Sequence, residues 1–136
     1  MDAFRMESVR LATTPERAFR YIAAPVNLPQ WTHAFKATHD GKAILATPAG
    51  EVEVGLRVDA SAAQGTIDWH LTFPNGSVAS AFSRLVPETS ERCIYSIILL
   101  APPVPLEQLE GTLNEQAKIL RGELANLVSI VVKSPS

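Results

Sequence analysis

The sequence predicts an α+β domain: a curved antiparallel sheet of about seven strands wrapped around a long C-terminal helix, with two short helices after the first strand. Three observations predict it. The stretch GTIDWHLTFPNG (65–76) alternates without a fault, with Ile67, Trp69, Leu71 and Phe73 on one face and Asp68, His70 and Thr72 on the other. Short runs of this kind follow in quick succession, punctuated by turn pairs such as Asp40-Gly41 and Asn75-Gly76. Finally, Leu106, Leu113, Leu120 and Leu127 recur every seven residues beside a second row of Glu110, Ala117, Leu124 and Val131, which reads as one amphipathic helix. An antiparallel sheet needs cover on one face, and this helix is the only large cover available.

The elements follow in order. Residues 3–11 read as an extended first strand with imperfect alternation. TTPERAFRYIAA (13–24) reads as a helix. Thr13 or Thr14 can cap it, Pro15 suits the first turn, and Glu16 completes a capping box if Thr13 is the cap. Pro25 and Pro29 prevent a long helix through APVNLPQW and leave room for one helical turn. THAFKATH meets KAILAT across Asp40-Gly41, TPAGE turns into VEVGLRVDA, and SAAQ turns into the alternating stretch. Asn75-Gly76 leads into SVASAFSRLV, and PETSE leads to RCIYSIILL. PLEQLEGTLNEQAKILRGELANLVSIVVK is the long helix and KSPS a frayed tail. No internal repeat divides the chain, so residues 1–136 read as a single domain.

Hairpin arithmetic extends this to faces. A two-residue Asn75-Gly76 loop sets Trp69 opposite Phe82, Leu71 opposite Ser80 and Ile67 opposite Arg84. A four-residue SAAQ loop sets Val58, Leu56, Val54 and Val52 opposite Ile67, Trp69, Leu71 and Phe73. A five-residue TPAGE loop brings Trp31, His33 and Phe35 to the same face, which must be the one under the helix. A five-residue PETSE loop turns Ile94, Ser96, Ile98 and Leu100 inward and leaves Tyr95, Ile97 and Leu99 as an apolar outer strip. A slip of one residue brings Tyr95 inside instead. His70 is expected on the solvated face. His33 is either a core-edge histidine satisfied by a backbone carbonyl or a proton-transferring group in a pocket. Arg84 either reaches water at the rim or pairs with an acid or an anionic ligand.

TPERAFRYIAAPVNLPQW resembles the opening helix and short second helix of the START-like, or SRPBCC, helix-grip superfamily, whose Asn-Leu-Pro-x-Trp pattern is matched by Asn27, Leu28, Pro29 and Trp31. The later strands and the closing helix fit the polyketide cyclase/dehydrase-like branch of that group. The resemblance implies a helix-grip fold with a deep cavity between sheet and helix, usually for a hydrophobic small molecule. It carries no shared catalytic motif.

Composition narrows the function classes. A net charge of −2 with scattered basic residues argues against a nucleic-acid surface. Cys93 stands alone, which excludes an internal disulfide or a cysteine zinc cage. A charged N-terminus and the lack of a long apolar run give no secretory signal and no membrane span, so a cytoplasmic protein is expected. Phosphate-loop, nucleophile-elbow and HExxH motifs are absent, and His33, His39 and His70 lack metal-ligand spacing, so neither a cofactor nor a metal is expected. The aromatic residues either fill the core or line a void of roughly 300–1,000 Å³. The expected lining is Trp31, His33, Phe35, Leu56, Trp69 and Leu71, with Ser80, Phe82 and Arg84 across from them and Leu113, Ala117 and Leu120 on the helix. Ala117, Gly122 and Ser80 are small where bulk could close the gap. Three functions compete: a binder of a hydrophobic or aromatic small molecule, a cyclase/dehydratase-like enzyme using His33, and a ligand-free interaction module, including a homodimer, acting through Ile97 and Leu99. Binding is favoured, because the inner face is short of titratable groups.

Overall fold

The computed structural model describes residues 4–47, 50–100 and 106–133, and the last helix's side chains from 114 to 132. Of the KSPS tail, Lys133 ends the last helix and residues 134–136 lie outside that range, as do the Leu106, Glu110 and Leu113 side chains. Strand β1 (Phe4–Leu11) leads into helix α1 (Pro15–Ala23). Thr14 is the cap: its hydroxyl accepts the Arg17 N–H, while Pro15 and Glu16 occupy the first turn. A 3-10 turn (Pro25–Asn27) and the single turn of α2 (Leu28–Trp31) follow, as the two prolines require. Then come β2 (Phe35–His39), β3 (Lys42–Thr47), β4 (Gly50–Ser61), β5 (Thr66–Thr72), β6 (Val78–Thr89), β7 (Arg92–Leu100) and α3 (Leu106–Lys133).

All seven strands form one sheet in the order β1-β7-β6-β5-β4-β3-β2, and every pairing is antiparallel. The Asp40-Gly41 hairpin is as expected, with positive φ at both residues (46° and 77°). The β3–β4 connection is shorter than expected, because Thr47 already pairs with Gly50. That one-residue offset is undone by an irregularity between Phe35 and Ala37, which returns Phe35 to the inner face beside Leu45. Val58 pairs with Trp69 instead of Ile67, a shift of two residues that preserves the face.

The next hairpin overturns the expected register. Trp69 pairs with Ala81, Leu71 with Ala79 and Ile67 with Ser83, so Ser80, Phe82 and Arg84 lie on the outer face. The cause is Pro74. A two-residue Asn75-Gly76 loop needs Pro74 and Ser77 as its closing pair, and proline has no N–H to donate. The pair moves out to Phe73 and Ser77, whose Phe73 N–H donates to the Ser77 carbonyl at 2.9 Å. Pro74, Asn75 and Gly76 become a three-residue loop, closed by the Gly76 N–H on the Phe73 carbonyl at 2.8 Å, with Gly76 at φ 88°. The slip propagates into β7, where Cys93, Tyr95, Ile97 and Leu99 share the inner side and Ile94, Ser96, Ile98 and Leu100 the outer. The PETSE loop shrinks to a two-residue connection between Thr89 and Arg92, with a register shift between Pro87 and Thr89.

Helix α3 packs across the inner face, burying Ala117, Leu120, Leu124, Leu127 and Val131 against a core that includes Trp31, Ile67, Trp69, Leu85 and Tyr95. Tyr95 is fully enclosed, and its hydroxyl makes no hydrogen bond of good geometry. Burial pushes its pKa up to about 12, and Ser83 and Trp69 beside it pull only partly the other way. The raised value favours the folded state while the phenol is neutral. That stability is complete below the unfolded tyrosine's pKa of about 10 and is lost as pH rises from there toward the folded value. Urea unfolding at pH 9 and pH 11 should therefore show the wild type losing on the order of 1 kcal/mol. Tyr95→Phe should lose less over the same interval and stay within about 1 kcal/mol of the wild type at neutral pH, since it removes an unpaired buried hydroxyl.

Candidate apolar cleft

Strand β4 reads GEVEVGLRVDAS, and its inward positions shrink toward the end, from Leu56 to Val58 to Ala60. These side chains form an apolar floor. One wall rises where α1 and the 3-10 turn end, at Ala23, Pro25 and Val26. The other is the tip of the β2–β3 hairpin, Thr38 to Lys42. Together they enclose a cleft of about 670 Å³ that opens to solvent. Its walls are cross-tied: the Thr38 hydroxyl donates to the Pro25 carbonyl at 3.1 Å, and the Asn27 side chain donates to the Tyr21 carbonyl at 3.0 Å. The Tyr21 hydroxyl donates to Gln30 at 2.7 Å, linking α1 to α2. The charged lining groups belong to the tip of the β2–β3 hairpin. There His39 Nε2 lies 3.0 Å from Asp40 Oδ2, and Lys42 Nζ lies 3.7 Å from Glu53 Oε1. The cleft therefore has a greasy floor and an edge able to meet either sign of charge.

Of the lining expected from sequence, only Leu56 among the described residues borders this cleft. Trp31 and Trp69 are 2% and 6% exposed and, with Ala117 and Leu120, fill the seam between sheet and helix. The Trp31 indole N–H is buried without a partner among the described residues. Phe35 and Leu71 stay half-buried on the inner face, as do Val52, Phe73, Ala81 and Leu99. His33 is corrected: α2 ends at Trp31 and β2 begins at Phe35, so Trp31, His33 and Phe35 share no strand and the imidazole is exposed. Its backbone N–H donates to the Glu123 carboxylate of α3. Burial raises the Glu123 pKa, and that N–H and the His33 ring partly counter it.

Ser80, Phe82 and Arg84, expected inside, stand on the outer face because of the Pro74 slip. The Ile97 and Leu99 strip expected outside faces the core, and the outer face carries Ile94, Ile98 and Leu100 beside the exposed Phe4, Met6, Phe82 and Val86. No described residue lies within 4 Å of a Cβ at Gly122, so among the described residues it neither hollows a cavity nor permits a close contact. Sequence reasoning missed the walls, Ala23, Pro25, Val26 and the hairpin tip. The usable signal was Pro25, which starts the 3-10 turn beside the cleft, together with the small Ala60 near the end of β4.

No protein-family model matches the chain, and no curated protein matches it significantly. Solved structures do. A START superfamily protein from Mycobacterium smegmatis is 13% identical with a TM-score of 0.68, over 96% of this chain and 97% of that one. The Zhui aromatase/cyclase from a Streptomyces species is 12% identical with a TM-score of 0.64, over 96% and 93%. The di-domain ARO/CYC BexL is 15% identical with a TM-score of 0.75, and this chain spans 48% of it. The chain has the START-like helix-grip fold. Among the described residues no helix is long and apolar enough to cross a membrane.

Proposed function

We propose that this helix-grip domain binds a hydrophobic or aromatic small molecule, with its apolar body on Leu56, Val58 and Ala60 and any polar end toward His39, Asp40 and Lys42. The observation that carries the reading is the unfilled apolar floor of β4. The tryptophans and α3 fill the centre of the core, and a smaller recess of about 400 Å³ lies between α1 and Arg84, yet this floor is left open in a cleft of about 670 Å³, within the size range of small-molecule sites. The START and aromatase/cyclase neighbours support it as proteins of the same fold. Binding is preferred to catalysis because His33 lies outside the cleft, and the rim histidine is paired with a solvent-exposed aspartate rather than set against the floor.

Ala60 is exposed on the cleft floor, so Ala60→Trp should fill the site without disturbing the core. The fluorescent lipophile anilinonaphthalene sulfonate should bind the wild type and lose affinity about tenfold or more in this variant, with Tm changed by no more than a few degrees. Equal affinity in a folded Ala60→Trp protein would remove the cleft from consideration.

A further inference from the structure

On the outer face of the sheet, away from the cleft, three adjacent strands bring together a serine, an imidazole and a carboxylate. His70 of β5 has Nδ1 2.8 Å from Ser80 Oγ on β6 and Nε2 3.2 Å from Asp59 Oδ2 on β4. The Asp59 carboxylate favours a proton on Nε2, the ring nitrogen nearer to it, and that tautomer leaves the Nδ1 lone pair to the Ser80 hydroxyl. Asp59 is itself held by Arg57 Nη2 at 3.3 Å. The Phe82 ring meets the imidazole edge-on at 6.0 Å and 76°, and the His70 side chain is 18% exposed. Val78 and Phe82, flanking Ser80 along β6, are 61% and 36% exposed and offer an apolar surface on either side of the hydroxyl.

We propose that Ser80 is a nucleophile, with His70 as its general base and Asp59 as the positioning carboxylate, and that it accepts apolar acyl groups from aryl esters and thioesters. As Ser80 Oγ bonds to the acyl carbon, its proton passes to His70 Nδ1, and Asp59 stabilises the imidazolium. The bond from the acyl carbon to the leaving oxygen or sulfur breaks. The aryl oxide or thiolate departs with the electron pair and takes up the proton from His70, which returns the imidazole to its starting form. Strand N–H groups lie in the plane of the sheet, so no pocket of donors faces the developing oxyanion. That restricts the reaction to acyl groups with good leaving groups and makes the acyl-serine long-lived. This site is independent of the cleft.

The test is incubation of the full chain with p-nitrophenyl butyrate, followed by intact mass and peptide mapping. One butyryl group should appear per chain, on Ser80, and should be absent in Ser80→Ala. His70→Gln should slow acylation about a hundredfold, as expected for loss of a general base. Asp59→Asn should slow it about tenfold and shift the His70 ring-nitrogen NMR signals away from the Nε2–H tautomer. Lack of acylation in the wild type, a butyryl group on another residue, or an unchanged rate in folded His70→Gln would overturn the proposal. If a variant unfolds, the mapped position on the wild type decides alone.

Discussion

Ile97→Asp should leave the chain unfolded at neutral pH, whereas Ile98→Asp, one residue further on, should destabilise it by only about 1 kcal/mol. Ile97 is 5% exposed on the inner side of β7, and Ile98 lies half-buried on the outer side, opposite Met6 and Phe82. An aspartate at 97 is a charge in the core without a partner, and it also forfeits the burial of an isoleucine. Together these reach or exceed about 5 kcal/mol, comparable to the whole stability of a domain of this size. An aspartate at 98 can reach water. Circular dichroism and urea melts of the two variants separate the observed faces from the opposite assignment that a two-residue Asn75-Gly76 loop implies.

Gly65→Ala should lower stability by about 3–4 kcal/mol and Tm by roughly 10–20 °C. Gly65 closes the β4–β5 turn at φ 73°, and a Cβ there would stand 2.2 Å from the Leu85 carbonyl oxygen. That oxygen belongs to backbone, so no side-chain rotation relieves the clash. The approach is functional in the fold. The Leu85 N–H donates to the Gly65 carbonyl at 2.6 Å and stitches the turn to β6 beyond the end of β5. Gly76→Ala is the control. Its φ of 88° is equally left-handed but nothing lies within 4 Å of its Cβ, so only the conformational cost of about 1–2 kcal/mol remains. Differential scanning calorimetry of both variants isolates the steric part.

Much of this architecture was legible. The 67–73 alternation named the inner face of β5, Asp40-Gly41 named its hairpin, and the Leu120, Leu124, Leu127 and Val131 rows found the buried stripe of α3. The face of Phe35 was reached because two register differences cancelled, a shorter β3–β4 connection and an irregularity in β2. In β6 and β7 the elements were right but the favoured face assignment failed on one missing hydrogen, and the slip of one residue that brings Tyr95 inside is the alternative the structure adopts. Pro74 cannot close a two-residue loop, and because side chains alternate with period two, a one-residue shift exchanges both faces of β6 and β7. The cleft was illegible for a different reason. Its walls come from segments that are mutually remote in sequence and carry no periodic signal, and its floor is defined by the small size of Ala60 rather than by a distinctive residue.

The most direct measurement is a ¹⁵N–¹H correlation titration with anilinonaphthalene sulfonate. The cleft account expects saturable shifts concentrated at Ala23, Val26, Thr38, Gly41, Leu56, Val58 and Ala60, with the outer strands quiet. Shifts confined to Phe4, Met6, Phe82, Ile98 and Leu100 would place the apolar contact on the opposite side of the sheet and contradict it.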